Sequence, residues 1–432
     1  MNEGESYFDI VWRQFCKNRP AIISLWLLAP TFLLAIFAPL LASNVPFYYR
    51  DGSGTIYPWI HALFNPDQTI DFLFNMALVA FGPWVIISLG LNAWWRRRGW
   101  KGRTRVFAAL GVYVVLTAVC AVLFSFPQLR PDNRYRTRSF AAEQFRAKEK
   151  VSALYPPIPF GPTEQYDYAF FKPPMYRKPK VREIEVPDPN DPTKIIKQEK
   201  LLWTRSTDAY PHLLGTDNVG RDVFVRMLYG LRVSLTIGFV AVGIYISIGI
   251  VLGALAGYFG GAVDILISRL IEVMLLFPTF FLVLTLVGLV GQNIFIIMVV
   301  IGLTGWPTIA RLIRGEVLKQ RSIDYVQAAR ALGASHSRII FRHILPNALS
   351  PAMVAAPFGI AGAIITEAGL SLLGFGVAPP APSWGVLLRL GNENYHYWWL
   401  VVFPSLAIFY TVTVFNLVGS GLRDAMDPRL RR

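Results

Sequence analysis

The chain is poor in the groups that usually do chemistry. Its 432 residues include two cysteines and five histidines. Cys16 and Cys120 supply neither a disulfide framework nor a CxxC metal pair. The histidines (His61, His212, His336, His343, His396) form no ligand cluster with paired carboxylates, no HExxH occurs, and no metal site is expected. There is no GxxxxGK followed by Ser or Thr, so the phosphate-cradling loop of an ATPase is missing. An enzyme is therefore not expected, and no catalytic residue is assigned. Charge is scarce as well, at 16% of residues against about 25% in soluble domains.

What is abundant is apolar residues, 54% of the chain with a mean hydropathy of +0.42. They fall into eight runs long enough for a hydrocarbon core about 30 Å thick: Ala21 to Ser43, Phe72 to Ala93, Val106 to Phe126, Val233 to Gly257, Ser268 to Val290, Ile294 to Ala310, Pro351 to Gly374, and Trp398 to Gly419. Outer-membrane barrels are excluded, because their strands alternate polar and apolar residues over about ten positions. The first run, at 23 residues, exceeds the roughly 7–15 of a signal-peptide core, so it reads as an uncleaved anchor.

The formal charge of +15 could mean nucleic acid, but on a polytopic chain it reads as orientation. WWRRRGWKGRTR between the second and third runs has six basic residues and no acid, so it is expected in the cytoplasm. Counting from it puts both termini and the segment Arg311 to Pro346 inside, and residues 44–71, the long stretch from 127 to about 232, and 377–397 outside. The basic residues of 128–212 do not oppose this, since loops beyond about 60 residues translocate largely regardless of charge. Its prolines predict an irregular or lightly β-structured insertion, with disorder as the alternative near 177–200. Val223, Phe224, Met227, Leu228 and Leu231 make one apolar stripe apart from Arg221, Asp222 and Arg226, which predicts a helix lying on the outer membrane surface.

Two carboxylates sit within apolar runs, Glu272 and Glu367. Either could serve a proton-coupled carrier, but both read better as helix-end or interfacial residues. Gly249, Gly253 and Gly257 recur every fourth residue and would let another helix approach closely, within this bundle or in a partner.

The expected inner segment DYVQAARALGASHSRIIFRHILPN is the most informative. Asp324 with Gln327 three residues on resembles a capping box, and Tyr325, Ala328, Ala329 and Leu332 share one apolar face. Gly333 suits a left-handed stop, and Ile339, Ile340 and His343 predict a second short helix ending before Pro346.

This segment is similar to the EAA loop of bacterial ABC importer permeases, matching it at Ala328, Ala329, Gly333, Leu345 and Pro346, with Gln327 in place of the Glu and His343 in place of the Ile. HLLGTDNVGRDVFVRMLYGLRVSLTIG (with Gly215, Thr216, Asp217, Gly220, Arg221 and Asp222) resembles a signature of the dipeptide and oligopeptide permeases. So does TEAGLSLLGFGVAPPAPSWGVLL (with Glu367, Pro379, Pro380, Trp384 and Gly385). FCKNRPAIISLW, VPFYYRDG and YPPIPFGPT resemble, more narrowly, the microcin-C-type subset.

The resemblance implies an all-α polytopic membrane protein: a six-helix type I importer core plus two extra N-terminal spans and an irregular extracytoplasmic insertion. Regions 1–126, 127–232 and 233–432 are the expected divisions. It implies a bacterial inner-membrane permease for peptides or peptide-like compounds, with a coupling helix at about 324–342 using Asp324, Gln327, Ala328, Ala329, Gly333, Arg338, Leu345 and Pro346. The implied partners are a second homologous permease, two ATPase subunits that use ATP and Mg, an extracytoplasmic solute-binding protein, and membrane lipid. Nucleic acid is not among them. A nickel or other chelate permease is the alternative within the family, and a proton-coupled carrier outside it.

Overall fold

The structure is a computed structural model that describes residues 7–51, 54–100, 102–130, 152–166, 169–177, 180–188, 191–202 and 210–426. Seven of its helices are long and apolar enough to cross a membrane: α2 (Arg19–Leu41), α4 (Thr69–Arg97), α5 (Gly102–Ser125), α6 (Val223–Phe259), α9 (Ile294–Arg321), α11 (Ser350–Leu372) and α13 (Trp399–Met426). An eighth span would be the pair α7 (Gly261–Leu276) and α8 (Thr279–Val290), which meet at 84°. The shorter helices are α1 (Tyr7–Phe15), α3 (Pro58–Phe64), α10 (Asp324–Ala331) and α12 (Trp384–Glu393).

Two sequence expectations change here. The apolar run Ser268 to Val290 is not one straight helix, because Pro278 lacks an N–H and forces Phe277 into extended backbone (φ −87°, ψ 129°). Hydropathy is blind to that break. The separate surface helix expected at 223–231 does not exist either. Those residues are the first turns of α6, which runs unbroken for 37 residues.

One compact unit comprises residues up to Ala35, Gly230–Glu393 and Pro404 onward. Its close helix contacts depend on small residues. A Cβ on Gly249, Gly253 or Gly257 would lie within 2.6–2.8 Å of atoms of Ile309, Ala310 or Arg314 on α9. The glycine stripe therefore packs α6 against α9 inside this chain, and adding a methyl there would cost about 1–3 kcal/mol in overpacking. Polar ties fix the ends. Arg232, fully buried, donates from Nε to Ala35 O (2.7 Å), Asn18 Nδ2 donates to Asp424 Oδ2 (2.9 Å), and Tyr410 Oη donates to Leu27 O (2.9 Å).

The other unit comprises Ile36–Tyr229 and Asn394–Phe403. In it α4 and α5 pack side by side, with Trp84 Nε1 donating to Ala109 O (2.7 Å) and Tyr113 Oη to Ala77 O (2.8 Å). Leu63, Phe64, Met76 and Leu78 form their shared core with Phe124 and Cys120. The 127–212 stretch is partly β: β3 (Ser152–Leu154) joins β1 (Tyr48–Asp51), which also pairs with β2 (Gly54–Ile56), in the order β2-β1-β3. A hairpin of β4 (Lys180–Asp188) and β5 (Asp191–Leu202) fills the region where disorder was the alternative. The basic residue Lys101, Gly52 of the VPFYYRDG segment and the terminal 427–432 lie outside the described residues.

Candidate functional site

Each group of residues that the sequence singles out is assembled in one place, and the groups differ in kind. The first, 212–222, is a buried polar knot. Asp217 is fully buried and accepts from the backbone N–H of Val219 (3.0 Å) and Arg221 (2.9 Å) and from Arg221 Nε (2.7 Å), with Arg226 Nε at 3.6 Å. Asp222 caps α6 by accepting from Val225 N (2.9 Å), while its other oxygen meets His212 Nδ1 at 2.8 Å. Thr216 Oγ1 donates to Ala169 O and accepts from Lys172 N (2.8 Å). Gly215 and Gly220 both have left-handed backbone, and a Cβ on Gly220 would sit 2.1 Å from Tyr166 O. Arg226, set apart from the apolar stripe of the expected surface helix, is fully buried and donates to Pro162 O (3.1 Å). The stripe pattern missed this because the partner lies 64 positions back.

The second group joins α11 to α12. Glu367 is fully buried, and its Oε1 accepts from Ser371 Oγ (2.7 Å) and Ser383 Oγ (2.6 Å). Ser383 Oγ in turn accepts from Gly385 N (3.1 Å), and a Cβ on Gly385 would lie 2.4 Å from Ser371 Cβ. Trp384 packs on Gly230, whose added Cβ would be 3.0 Å from its ring, whereas Pro379 and Pro380 are exposed in the preceding loop. Glu272 is exposed and ion-paired with Arg269 at 2.6 Å. Both carboxylates thus have local structural partners: among the described residues Glu367 meets two hydroxyls and Glu272 one arginine.

The third group is the connection between α9 and α11. After Arg321 the chain turns and α10 begins, but the expected capping box is absent. Ile323 holds the N-cap position without a side-chain bond, Asp324 lies already inside the helix, and Gln327 Nε2 reaches back to Arg321 O (3.0 Å). Gly333, at φ +78°, ends α10 with the paired bonds Ala334 N to Ala329 O (3.0 Å) and Gly333 N to Arg330 O (3.0 Å). Ser335 caps the next helical run, 336–348. That run does not stop before Pro346. A π turn at Ile339–Ile344, with Leu345 N–H bonded to Ile340 O, widens the helix where Pro346 cannot donate, and the run continues to Ala348.

This connection is anchored at some residues and bare at others. Val326, Ile339 and Ile344 are buried, and Tyr325 Oη donates to Gln320 Oε1 (2.8 Å) while Asn347 Nδ2 donates to Tyr325 Oη (3.2 Å). His336 Nδ1 meets Tyr258 Oη of α6 at 2.7 Å, and Arg314 of α9 grips Asp264 of α7 through Nε and Nη2. Elsewhere on the connection Leu332 is 88% exposed and Phe341 68%, the anchored Tyr325 still 40%, and Asp324, Gln327, Ala328 and Arg338 are exposed as well. Phe341 was not singled out in the sequence. Its neighbours Ile339 and Ile344 point inward, which is the signal that could have found it.

Deeper in the same unit, a cavity of about 800 Å³ opens among α6, α8, α9, α11 and α13. Tyr245, Val283, Thr308, Thr366 and Arg423 line it, giving an apolar wall with a few hydroxyls and one cation. Gly359 makes room for Tyr245, whose hydroxyl would lie 1.5 Å from an added Cβ.

Comparison with known proteins fits this arrangement. Residues 249–432 match the binding-protein-dependent transport system inner membrane component, and residues 6–66 match the N-terminal transmembrane domain of oligopeptide transport permease C. The dipeptide transport system permease protein DppC of Alkalihalophilus pseudofirmus is 41% identical over 221 residues, covering 51% of this chain and 73% of that protein. The chain belongs to the dipeptide and oligopeptide transport permease family. Other relatives within it are the glutathione transport system permease protein GsiD of Pectobacterium atrosepticum, 42% identical over 51% of this chain and 73% of its own length, and the oligopeptide transport system permease protein OppC of Haemophilus influenzae, 42% identical over 51% and 71%. Such permeases are non-catalytic membrane subunits. The cavity and the α10 connection both lie within the 249–432 match, apart from Tyr245. Helices α4 and α5 and the β4–β5 hairpin lie outside both family matches.

Proposed function

We propose that this permease is the membrane-spanning subunit of an ATP-driven importer of peptides or peptide-like compounds, switched between its two faces by ATPases that dock on α10. The observation that carries the coupling role is the exposed apolar side of the 323–341 segment on a rigid base. Leu332 and Phe341 offer a partner surface to bury, while Tyr325 and His336 tie the segment to α9 and α6, and Arg314–Asp264 in turn holds α9 to α7. A push on α10 would therefore be carried into the spans instead of being absorbed by a slack loop. The required free energy comes from ATP favouring the closed ATPase pair, since a ligand shifts an equilibrium only by its differential affinity for the two states.

The basic loops support an orientation with α10, the 94–105 loop and both termini in the cytoplasm. The family supports the remaining partners: a second homologous permease, two ATPases with ATP and Mg, and an extracytoplasmic binding protein. The division into 1–126, 127–232 and 233–432 stands in this reading, with α4 and α5 as additions beside a six-span core. The cavity then contributes to a weak, water-filled path, and selectivity resides mainly in the binding protein. Relatives named for dipeptides, glutathione and oligopeptides support the substrate class, and the narrower microcin-C-type resemblance supports its extension to peptide-like compounds.

Gly333→Pro tests the docking role. Proline holds φ near −65° and cannot adopt +78°, so the end of α10 must rearrange. The expected result is normal membrane insertion with loss of ATPase co-purification and of uptake. Intact co-purification and uptake would sink the assignment.

A further inference from the structure

The α4–α5 hairpin lies outside both family matches and has no part in the coupling described above. A cavity of about 540 Å³ runs between its two helices. Trp84, hydrogen-bonded to Ala109 O, closes one end of it, and Val85, Leu89 and Val106 make apolar walls. Toward the connecting loop the lining turns polar, with Asn92, Arg96 and Arg105. Arg105 Nη1 donates to Asn92 Oδ1 (3.0 Å), which fixes the guanidinium there. Two buried polar atoms on this lining, Arg105 Nε and Ser88 Oγ, have no hydrogen-bond partner among the described residues. Buried donors are costly unless an acceptor meets them.

The surroundings define that acceptor. The loop from Trp94 to Arg105 carries six basic residues and no acid. Trp95 stacks on Trp100 (5.7 Å between centroids) and Arg98 lies 3.9 Å over Trp94, an aromatic and cationic belt of the kind found at headgroup level. We propose that the α4–α5 cleft is a binding site for an anionic phospholipid, its phosphate held by Arg96 and Arg105 and an acyl chain lying on Val85, Leu89 and Val106. The apolar walls below the basic end favour a lipid over a free phosphate. The lack of any acid in the loop favours an anionic headgroup over one carrying an amine, in line with basic pockets between membrane helices. Arg105 Nε and Ser88 Oγ would then donate to phosphate or ester oxygens.

Native mass spectrometry of the full-length chain in detergent tests this, with dioleoyl phosphatidylglycerol, dioleoyl phosphatidylcholine and water-soluble glycerophosphoglycerol as probes. Phosphatidylglycerol should be retained and the other two released. Taking about fivefold per basic residue, the double variant Arg96→Gln/Arg105→Gln should weaken retention roughly twenty-five-fold. Arg97→Gln/Arg98→Gln, which does not alter the cleft lining, should weaken it much less. Val106→Trp keeps every charge but fills the cleft, and should abolish retention even if the arginine variants fold poorly. The proposal is overturned by equal retention of phosphatidylcholine, by displacement with glycerophosphoglycerol at equal concentration, by an equal effect of the Arg97/Arg98 pair, or by unchanged retention in Val106→Trp.

Discussion

Between Asp217 and Arg232 five charged side chains (Asp217, Arg221, Asp222, Arg226, Arg232) are withdrawn from solvent, whereas between Ile323 and Phe341 four large apolar ones (Ile323, Tyr325, Leu332, Phe341) stand exposed. Both segments reverse the usual preference of their residue types. The first reversal is resolved inside the chain, because hydrogen bonds from backbone and side chains meet the charges. The second is not resolved among the described residues, none of which covers Leu332 or Phe341. The difference separates two meanings of a family signature: 212–222 preserves a fold, and 324–346 presents a surface. Under the proposed docking role it also separates two expected kinds of mutational effect, one on stability and one on transport with stability intact.

The largest expected effect tests the first half of the contrast. Asp217→Ala leaves Arg221 and Arg226 buried without their carboxylate, and removing one partner of such a group costs about 3–5 kcal/mol. Thermal unfolding of the detergent-solubilised chain should show a marked drop in midpoint and in yield. A loss below about 1 kcal/mol would mean that the knot is not what holds 212–222 in place.

A matched pair of glycines gives the next effect. Gly220 and Gly333 have nearly the same backbone, φ +77° and +78°, but an added Cβ meets Tyr166 O at 2.1 Å in the first and nothing within 4 Å in the second. Gly333→Ala should cost only the left-handed penalty of about 1–2 kcal/mol. Gly220→Ala should cost that plus about 1–3 kcal/mol for displacing backbone. Equal losses in the two unfolding midpoints would remove the distinction between a packed signature and an open one.

The same two segments mark what sequence could and could not disclose. Local requirements were legible: the left-handed stop at Gly333, the four-residue spacing of Gly249, Gly253 and Gly257, and runs long enough to span a bilayer. Those features depend on a few neighbouring residues or on composition. The burial of Arg226 is not legible in the stripe pattern, because it depends on Pro162 and Asp217, brought in by a stretch with little periodicity of its own. The capping box at Asp324 failed by one position, since the turn after Arg321 leaves Ile323 at the cap and sends Gln327 back to Arg321 O. The bend at Phe277–Pro278 was hidden in an unbroken apolar run, where one missing N–H outweighs hydropathy. The apolar face of Tyr325, Ala328 and Leu332 was visible as a stripe, but a stripe does not say whether its cover lies in the same chain.

The smallest stability effect carries the most about function. Leu332→Ser removes an apolar side chain that is 88% exposed, follows α10 directly and makes no contact that the fold depends on. Leu332 is the C-cap of α10, but the cap bonds come from its backbone N–H, which serine keeps, and exposed substitutions outside the core usually change stability by no more than about 0.5 kcal/mol. The unfolding midpoint should therefore stay put. If a partner buries Leu332, truncating it forfeits about 1.5–3 kcal/mol of apolar burial at the interface, a factor of roughly 10 to 100 in affinity. ATPase co-purification and uptake should fall accordingly, and Phe341→Ser should behave alike. Because both side chains are bare among the described residues, a fall in transport with no fall in stability points to a partner that covers them. Unchanged transport would leave the exposed apolar side without a partner, and the contrast with 212–222 would lose its functional half.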